Sequence, residues 1–159
     1  MVFKRDLAIW RKAEIDFAKV LLSTREVYSL EFPQGKFKDY DIKINTPLWE
    51  ETYEIKLDLQ APETGNFVVE YRGWWKASWI FTSKADYIIY NVLWEWWWQE
   101  RGELILRLIN LEDKEEAKWW DGKKTDMWKI KCKYLPDLFD KIDTDEPRKE
   151  TSESSDEAR

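Results

Sequence analysis

Between Val27 and Tyr71 the chain alternates four short runs of β-favouring residues with brief breaks. The runs are Val27 to Phe32, Tyr40 to Ile44, Tyr53 to Leu59 and Phe67 to Tyr71. The breaks are Pro33-Gln34-Gly35, Asn45-Thr46-Pro47 and the stretch Ala61 to Asn66. Spacing this tight predicts a meander of antiparallel strands. Ahead of it, residues 4–22 read as an amphipathic helix, because Leu7, Trp10, Phe17, Ala18 and Leu21 fall on one side of a 3.6-residue wheel. Glu14 falls inside that apolar stripe, and Asp16 lies on the opposite side.

After the meander, Thr82-Ser83-Lys84-Ala85-Asp86 reads as a helix start with a hydroxyl cap. The apolar Tyr87 to Leu93 that follows fits helix or strand, and a short helical turn followed by a strand is the preferred reading. Glu103 to Ile109 is expected as a strand, with a charged helix or loop through Lys118. Met127 to Tyr134 is expected as a last strand, broken by Leu135-Pro136. From Thr144 the sequence is polar and acidic and lacks the apolar surface needed to order itself. The expectation is one domain over residues 1–143 that combines helices with a meander of strands, and a mobile tail over 144–159.

The chain has no histidine and a single cysteine, Cys132. The usual zinc sites, histidine-based triads and an internal disulfide are therefore excluded. Apolar stretches are a handful of residues long, and Met1-Val2-Phe3-Lys4-Arg5-Asp6 lacks a secretory core. An intracellular protein with no membrane partner is expected. The net charge of −6 is uneven: from Asp140 onward there are eight acidic and four basic residues, leaving 24 acidic against 22 basic before it. A nearly neutral body does not exclude a nucleic-acid substrate if bound cations neutralise clustered carboxylates.

Strand alternation puts Glu54, Lys56 and Asp58 on one face and Tyr53, Ile55 and Leu57 on the other. Asp41, in the preceding strand, would sit beside Glu54 if the two strands pair as a hairpin. Two adjacent carboxylates repel, and a hard divalent cation such as Mg²⁺ resolves that repulsion by taking both as ligands. Lys56 would project to the same place, where it could position a nucleophile or stabilise charge on a phosphate. Taken alone, Glu-x-Lys-x-Asp is more often a solvated strand face laced with ion pairs. Glu14 adds weight, since a carboxylate in an apolar helix stripe needs compensation. A metal shared with Asp41 and Glu54 would supply it, as would an ion pair with an arginine or lysine.

In order along the chain, these residues resemble the PD-(D/E)XK nuclease superfamily, and within it small nucleases and Holliday-junction-resolvase-like proteins of phages and archaeal viruses. Tyr40-Asp41-Ile42 is similar to the aspartate motif and Tyr53-Glu54-Ile55-Lys56 to the E-x-K motif. Thr64-Gly65-Asn66 followed by Val69-Glu70-Tyr71 resembles the next turn and strand. Thr82-Ser83-Lys84-Ala85-Asp86-Tyr87 resembles a T-(S/T)-K-A-D-Y segment. The resemblance implies an α+β fold with a restriction-endonuclease-like core, a central mixed sheet of about five strands flanked by helices, and hydrolysis of DNA phosphodiesters with Mg²⁺ or Mn²⁺. It implies Asp41 and Glu54 as metal ligands with the Ile55 carbonyl, Lys56 as the residue positioning the attacking water, and Glu14 as an additional helix carboxylate. Asp58 and Glu70 would be accessory acids, and Lys84 and Asp86 would contact substrate or support the site. Where such sequences carry small residues, this chain reads Gly73-Trp74-Trp75-Lys76-Ala77-Ser78-Trp79-Ile80, so substrate geometry carries over poorly.

Nine of the twelve tryptophans cluster at Trp74, Trp75 and Trp79, at Trp94 and Trp96 to Trp98, and at Trp119 and Trp120. Next to Arg72 and Lys76 they could stack on bases, but cores and dimer interfaces use tryptophan more often. Because successive strand residues alternate faces, some rings are expected to reach solvent or a second copy, which makes a homodimer the economical expectation. A different class of function stays open beside the nuclease: a non-catalytic protein that binds nucleic acid or a partner through its tryptophan surface.

Overall fold

The computed structural model describes residues 2–34, 39–73, 76–77, 79–120 and 124–144. The expected tail from residue 145 on, Gly35, Trp74, Trp75 and Ser78 lie outside the described residues, as do the side chains of Leu7, Lys76, Trp79, Trp119 and Trp120. Helix α1 runs Val2–Thr24 and turns Ala13, Glu14, Phe17, Ala18 and Leu21 inward. Trp10, expected on that stripe, is exposed.

Strands β1 (Ser29–Glu31), β2 (Ile42–Asn45) and β3 (Glu50–Asp58) form the predicted antiparallel meander, with Leu30 against Ile44 and Ile42 against Tyr53. The fourth run does not join it. A short helix α2 (Ala61–Thr64) is closed by Gly65 at φ 72°, a left-handed conformation that a side chain would resist. Strand β4 (Asn66–Gly73) then leaves for a second sheet. The place beside β3 is taken instead by β6 (Tyr87–Val92), which pairs with it in parallel, Glu54 level with Ile88 and Lys56 with Tyr90.

Strand β5 (Lys76–Ala77) and helix α3 (Trp79–Thr82) bridge to β6, which returns as β7 (Glu95–Glu100) through the two-residue turn Leu93-Trp94. Helix α4 (Arg101–Asn110), β8 (Glu115–Trp120) and β9 (Lys124–Lys131) follow. A 3₁₀ turn over Cys132–Tyr134, helix α5 (Leu135–Leu138) and β10 (Asp140–Lys141) end the described chain. The six-stranded mixed sheet is ordered β1-β2-β3-β6-β7-β10, and the antiparallel four-stranded one β5-β4-β9-β8.

Several expectations are corrected. Thr82 ends a helix rather than starting one, and Ser83 to Asp86 run irregularly into β6. Glu103 to Ile109 is helical, because burying Leu104 and Leu108, four residues apart, satisfies a helix period rather than a strand period. The segment through Lys118 is the edge strand β8, held by β9 in the register Ala117 to Met127. Pro136 stands in the first turn of α5, where its missing N–H costs nothing, so it starts an element as well as ending one.

The mixed sheet is the middle of three layers. On one face α1 packs Phe17, Ala18 and Leu21 against Ile42, Ile44, Tyr53, Ile55 and Ile89. On the other, Ile88, Tyr90, Val92 and Trp97 meet Phe67, Val69, Trp128 and Ile130 of the second sheet, sealed by α4 and α5. This layering accounts for the tryptophan run. Trp96 packs on Phe17 with ring centroids 5.1 Å apart and Trp98 on Tyr87 at 5.8 Å, while Trp97 is buried on the opposite face. Alternation sends these indoles to two packed faces, Trp97 buried and Trp96 and Trp98 partly buried, while Trp94 in the turn before them is 78% exposed.

Candidate active site

The register of β3 against β6 sets Glu54, Lys56 and Asp58 on the face of the mixed sheet away from α1. Asp41 stands one residue before β2, and with Ile42 level with Tyr53 it comes opposite Glu54. Its backbone N–H donates to the Tyr53 carbonyl at 2.8 Å, and its Oδ2 accepts from the Ile55 N–H at 2.8 Å. These bonds fix the Asp41 carboxylate at the edge of β3. In a strand a residue's N–H and C=O point the same way, so the Ile55 carbonyl leaves β3 on that same edge, past the start of β2. Lys56 Nζ lies 3.8 Å from Glu54 Oε2, the side chains being 28% and 14% exposed.

The expected constellation of Asp41, Glu54, Ile55 and Lys56 is thus brought together by two adjacent strands. Beneath it lies Tyr90, whose hydroxyl is pushed well above its usual range, first by burial and then by Asp58, Glu54 and Glu70. That hydroxyl donates to the Val68 carbonyl at 3.0 Å and ties β6 to the second sheet. Asp58 has structural work: its Oδ1 accepts from the Gln60 and Ala61 N–H groups at 3.0 Å each, and its Oδ2 from the Val68 N–H at 3.2 Å. It organises the start of α2 and the crossing to β4.

Other expected residues stand on other elements. Glu14 is buried on the helix that covers the opposite face, with Arg11 Nη1 at 3.7 Å from its Oε2, so an arginine supplies compensation for its burial. Asp86 is engaged by β3, its Oδ2 accepting from the Thr52 N–H at 3.0 Å and hydroxyl at 3.1 Å. Since Thr52 shares the face of Glu54, two residues before it, Asp86 supports the strand that carries the site. Lys84 Nζ reaches Asp39 Oδ1 at 4.0 Å, near the approach to Asp41. Arg72 does not join this group: its Nε donates to Asp126 Oδ2 at 2.6 Å across the second sheet. Lys76 is described only in its backbone, paired with Gly73.

A second charged cluster on β3 escaped the sequence. Glu51 is 2% exposed on the α1 face and is held by Arg25, whose Nη1 donates to Glu51 Oε2 at 2.6 Å and whose Nη2 pairs with Oε1. The Tyr53 hydroxyl donates to Oε2 at 2.7 Å and the Trp49 Nε1–H to Oε1 at 3.1 Å. Burial alone would raise the Glu51 carboxyl, but the bonds from Arg25 and Tyr53 bring it below its ordinary value. Burial, then Glu51, drives the Tyr53 hydroxyl far above its own. The signal was present: Glu51 is in phase with Tyr53 and Ile55, a carboxylate on an apolar face like Glu14.

Among the described residues no group of three or more Asp, Glu, Cys or His side chains is gathered to hold a metal ion. The donors at Asp41, Glu54 and the Ile55 carbonyl are all hard oxygens, which suits Mg²⁺, an ion commonly held by one or two carboxylates with water completing its shell. Among the same residues no helix is long and apolar enough to cross a membrane. No protein-family model, curated protein or solved structure matches the chain.

Proposed function

We propose that the chain is a metal-dependent nuclease with a restriction-endonuclease-like core, hydrolysing DNA phosphodiesters at the edge of β3. The observation that carries the proposal is Asp41 fixed opposite Glu54, with its carboxylate bonded to the Ile55 N–H and Lys56 beside Glu54. Asp41, Glu54 and the Ile55 carbonyl would hold Mg²⁺ or Mn²⁺, which when bound lowers the pKa of a coordinated water and offsets phosphate charge. Lys56 orients the attacking water and faces the non-bridging phosphate oxygens, whose charge grows as the water oxygen adds to phosphorus. One P–O ester bond breaks, leaving a phosphate on one fragment and a hydroxyl, carrying the transferred proton, on the other. Asp86 bonds Thr52 near the start of β3, and Asp58, its last residue, bonds the start of α2. A mixed sheet packed between α1 and the second sheet, with Asp41, Glu54 and Lys56 on the face away from α1, is the scaffold of the proposed site.

The test is incubation of linear, circular and four-way-junction DNA with Mg²⁺ or Mn²⁺, comparing the natural chain with Glu54→Ala and Lys56→Ala. Cleavage lost in both variants is the expected result. Undiminished cleavage by both removes the site assignment, and no cleavage by the natural chain leaves the non-catalytic binding protein in its place.

A further inference from the structure

On the α1 face of the mixed sheet a cavity of about 250 Å³ opens between the second half of α1 and strands β3, β6 and β7. Its walls are aromatic. Tyr53 and Tyr87 stack with centroids 5.3 Å apart at 24°, Trp98 meets Tyr87 edge-on at 5.8 Å, and Phe17 leans on Tyr53 at 5.6 Å. Arg25 stands at the rim with its side chain 36% exposed. A guanidinium has five N–H donors. Three are engaged by Glu51 and Tyr53.

The cavity is open on one side, and its walls of rings and aliphatic chains offer the water inside few protein hydrogen-bond partners. An apolar ring displaces such water favourably and meets ring faces on several sides. The residues after Ile142, Asp143 to Arg159, contain no aromatic side chain. A cation is disfavoured, because Glu51 is already saturated by Arg25, Tyr53 and Trp49, whereas Arg25 keeps two N–H donors beyond the three engaged.

We infer that this cavity is a binding site for a small planar aromatic molecule carrying a carbonyl or carboxylate acceptor, its ring held among Phe17, Tyr53, Tyr87 and Trp98 and its acceptor by Arg25. The site is separate from the Asp41 and Glu54 cluster, on the other face of the sheet, and does not depend on nuclease activity.

The probe is 2-naphthoate, titrated calorimetrically into the full chain, with Val20→Trp and Ile142→Trp as variants that fill the cavity from two sides. Binding at submillimolar concentration, weakened at least tenfold in the filled variants while their thermal midpoints stay near that of the natural chain, is expected. A naphthalene bearing an ammonium group in place of the carboxylate should bind at least tenfold more weakly. Should one filled variant fail to fold, the other decides. No binding of naphthoate at millimolar concentration, or equal binding by the folded filled variants, overturns the inference. Equal binding of the ammonium compound overturns the role of Arg25.

Discussion

Glu51 and Glu54 lie three residues apart on one strand, face opposite ways, and have opposite surroundings. Glu51 is buried, and every oxygen of its carboxylate is met by a donor from Arg25, Tyr53 or Trp49. Glu54 is on the face where another carboxylate, Asp41, comes level with it and a lysine stands beside it. A saturated carboxylate holds its fold together and has nothing left to offer a ligand. Paired carboxylates concentrate negative charge, which favours the fold less than it favours a bound cation. The same residue type is structural on one face and, in the proposed function, a metal ligand on the other, and the partner set distinguishes them.

The contrast can be broken by substitution. The largest effect is expected from Glu54→Gln or Lys56→Ala, each lowering the DNA cleavage rate by about 10³-fold, or roughly 4 kcal/mol, while denaturant unfolding changes by less than about 1 kcal/mol. A comparable loss of stability would turn Glu54 into a second structural carboxylate. Next comes Arg25→Ala, expected to lower stability by on the order of 3 kcal/mol in urea unfolding, because it leaves Glu51 buried without its cation. Cleavage per folded molecule should be unchanged.

Acid separates the two faces further. Since the folded Glu51 carboxyl titrates below its ordinary value, its contribution to stability is complete above the ordinary carboxylate range and is lost as pH falls through the lowered value. Unfolding free energy measured from pH 6 downward should therefore drop, and Glu51→Gln should flatten that part of the curve. A curve unchanged by Glu51→Gln would mean that other acids dominate. The smallest effect belongs to the exposed pair on the same hairpin, Lys43 with Glu50 at 3.3 Å. Lys43→Ala should move neither cleavage nor the unfolding midpoint measurably, because water screens such pairs.

Much of the first half of the fold is legible in local sequence. The helix stripe through Phe17 and Leu21, the meander of β1 to β3 and the strand at Tyr87 follow from periodicity and turn chemistry, and the Asp41 and Glu54 juxtaposition follows from pairing adjacent strands. What is not legible depends on distance along the chain. The second sheet joins Val69 to Trp128, and no local pattern announces a partner so remote. The two-sided burial of Trp96 to Trp98 depends on layers built from both ends of the chain. Glu103 to Ile109 carries Leu104, Ile105, Leu106 and Ile109, a strand-like composition, and only the buried Leu104 and Leu108 reveal the helix. Glu51 is not legible because the β-favouring run begins only at Tyr53, whereas β3 begins at Glu50, and its cation, Arg25, comes from just beyond the end of α1.

Calorimetric titration of Mn²⁺ into the natural chain, Glu54→Gln and Glu51→Gln tests the difference between the two faces most directly. One site with a dissociation constant of millimolar or tighter, lost in Glu54→Gln and kept in folded Glu51→Gln, is the predicted result. Absence of binding to the natural chain, or equal binding by Glu54→Gln, would contradict it.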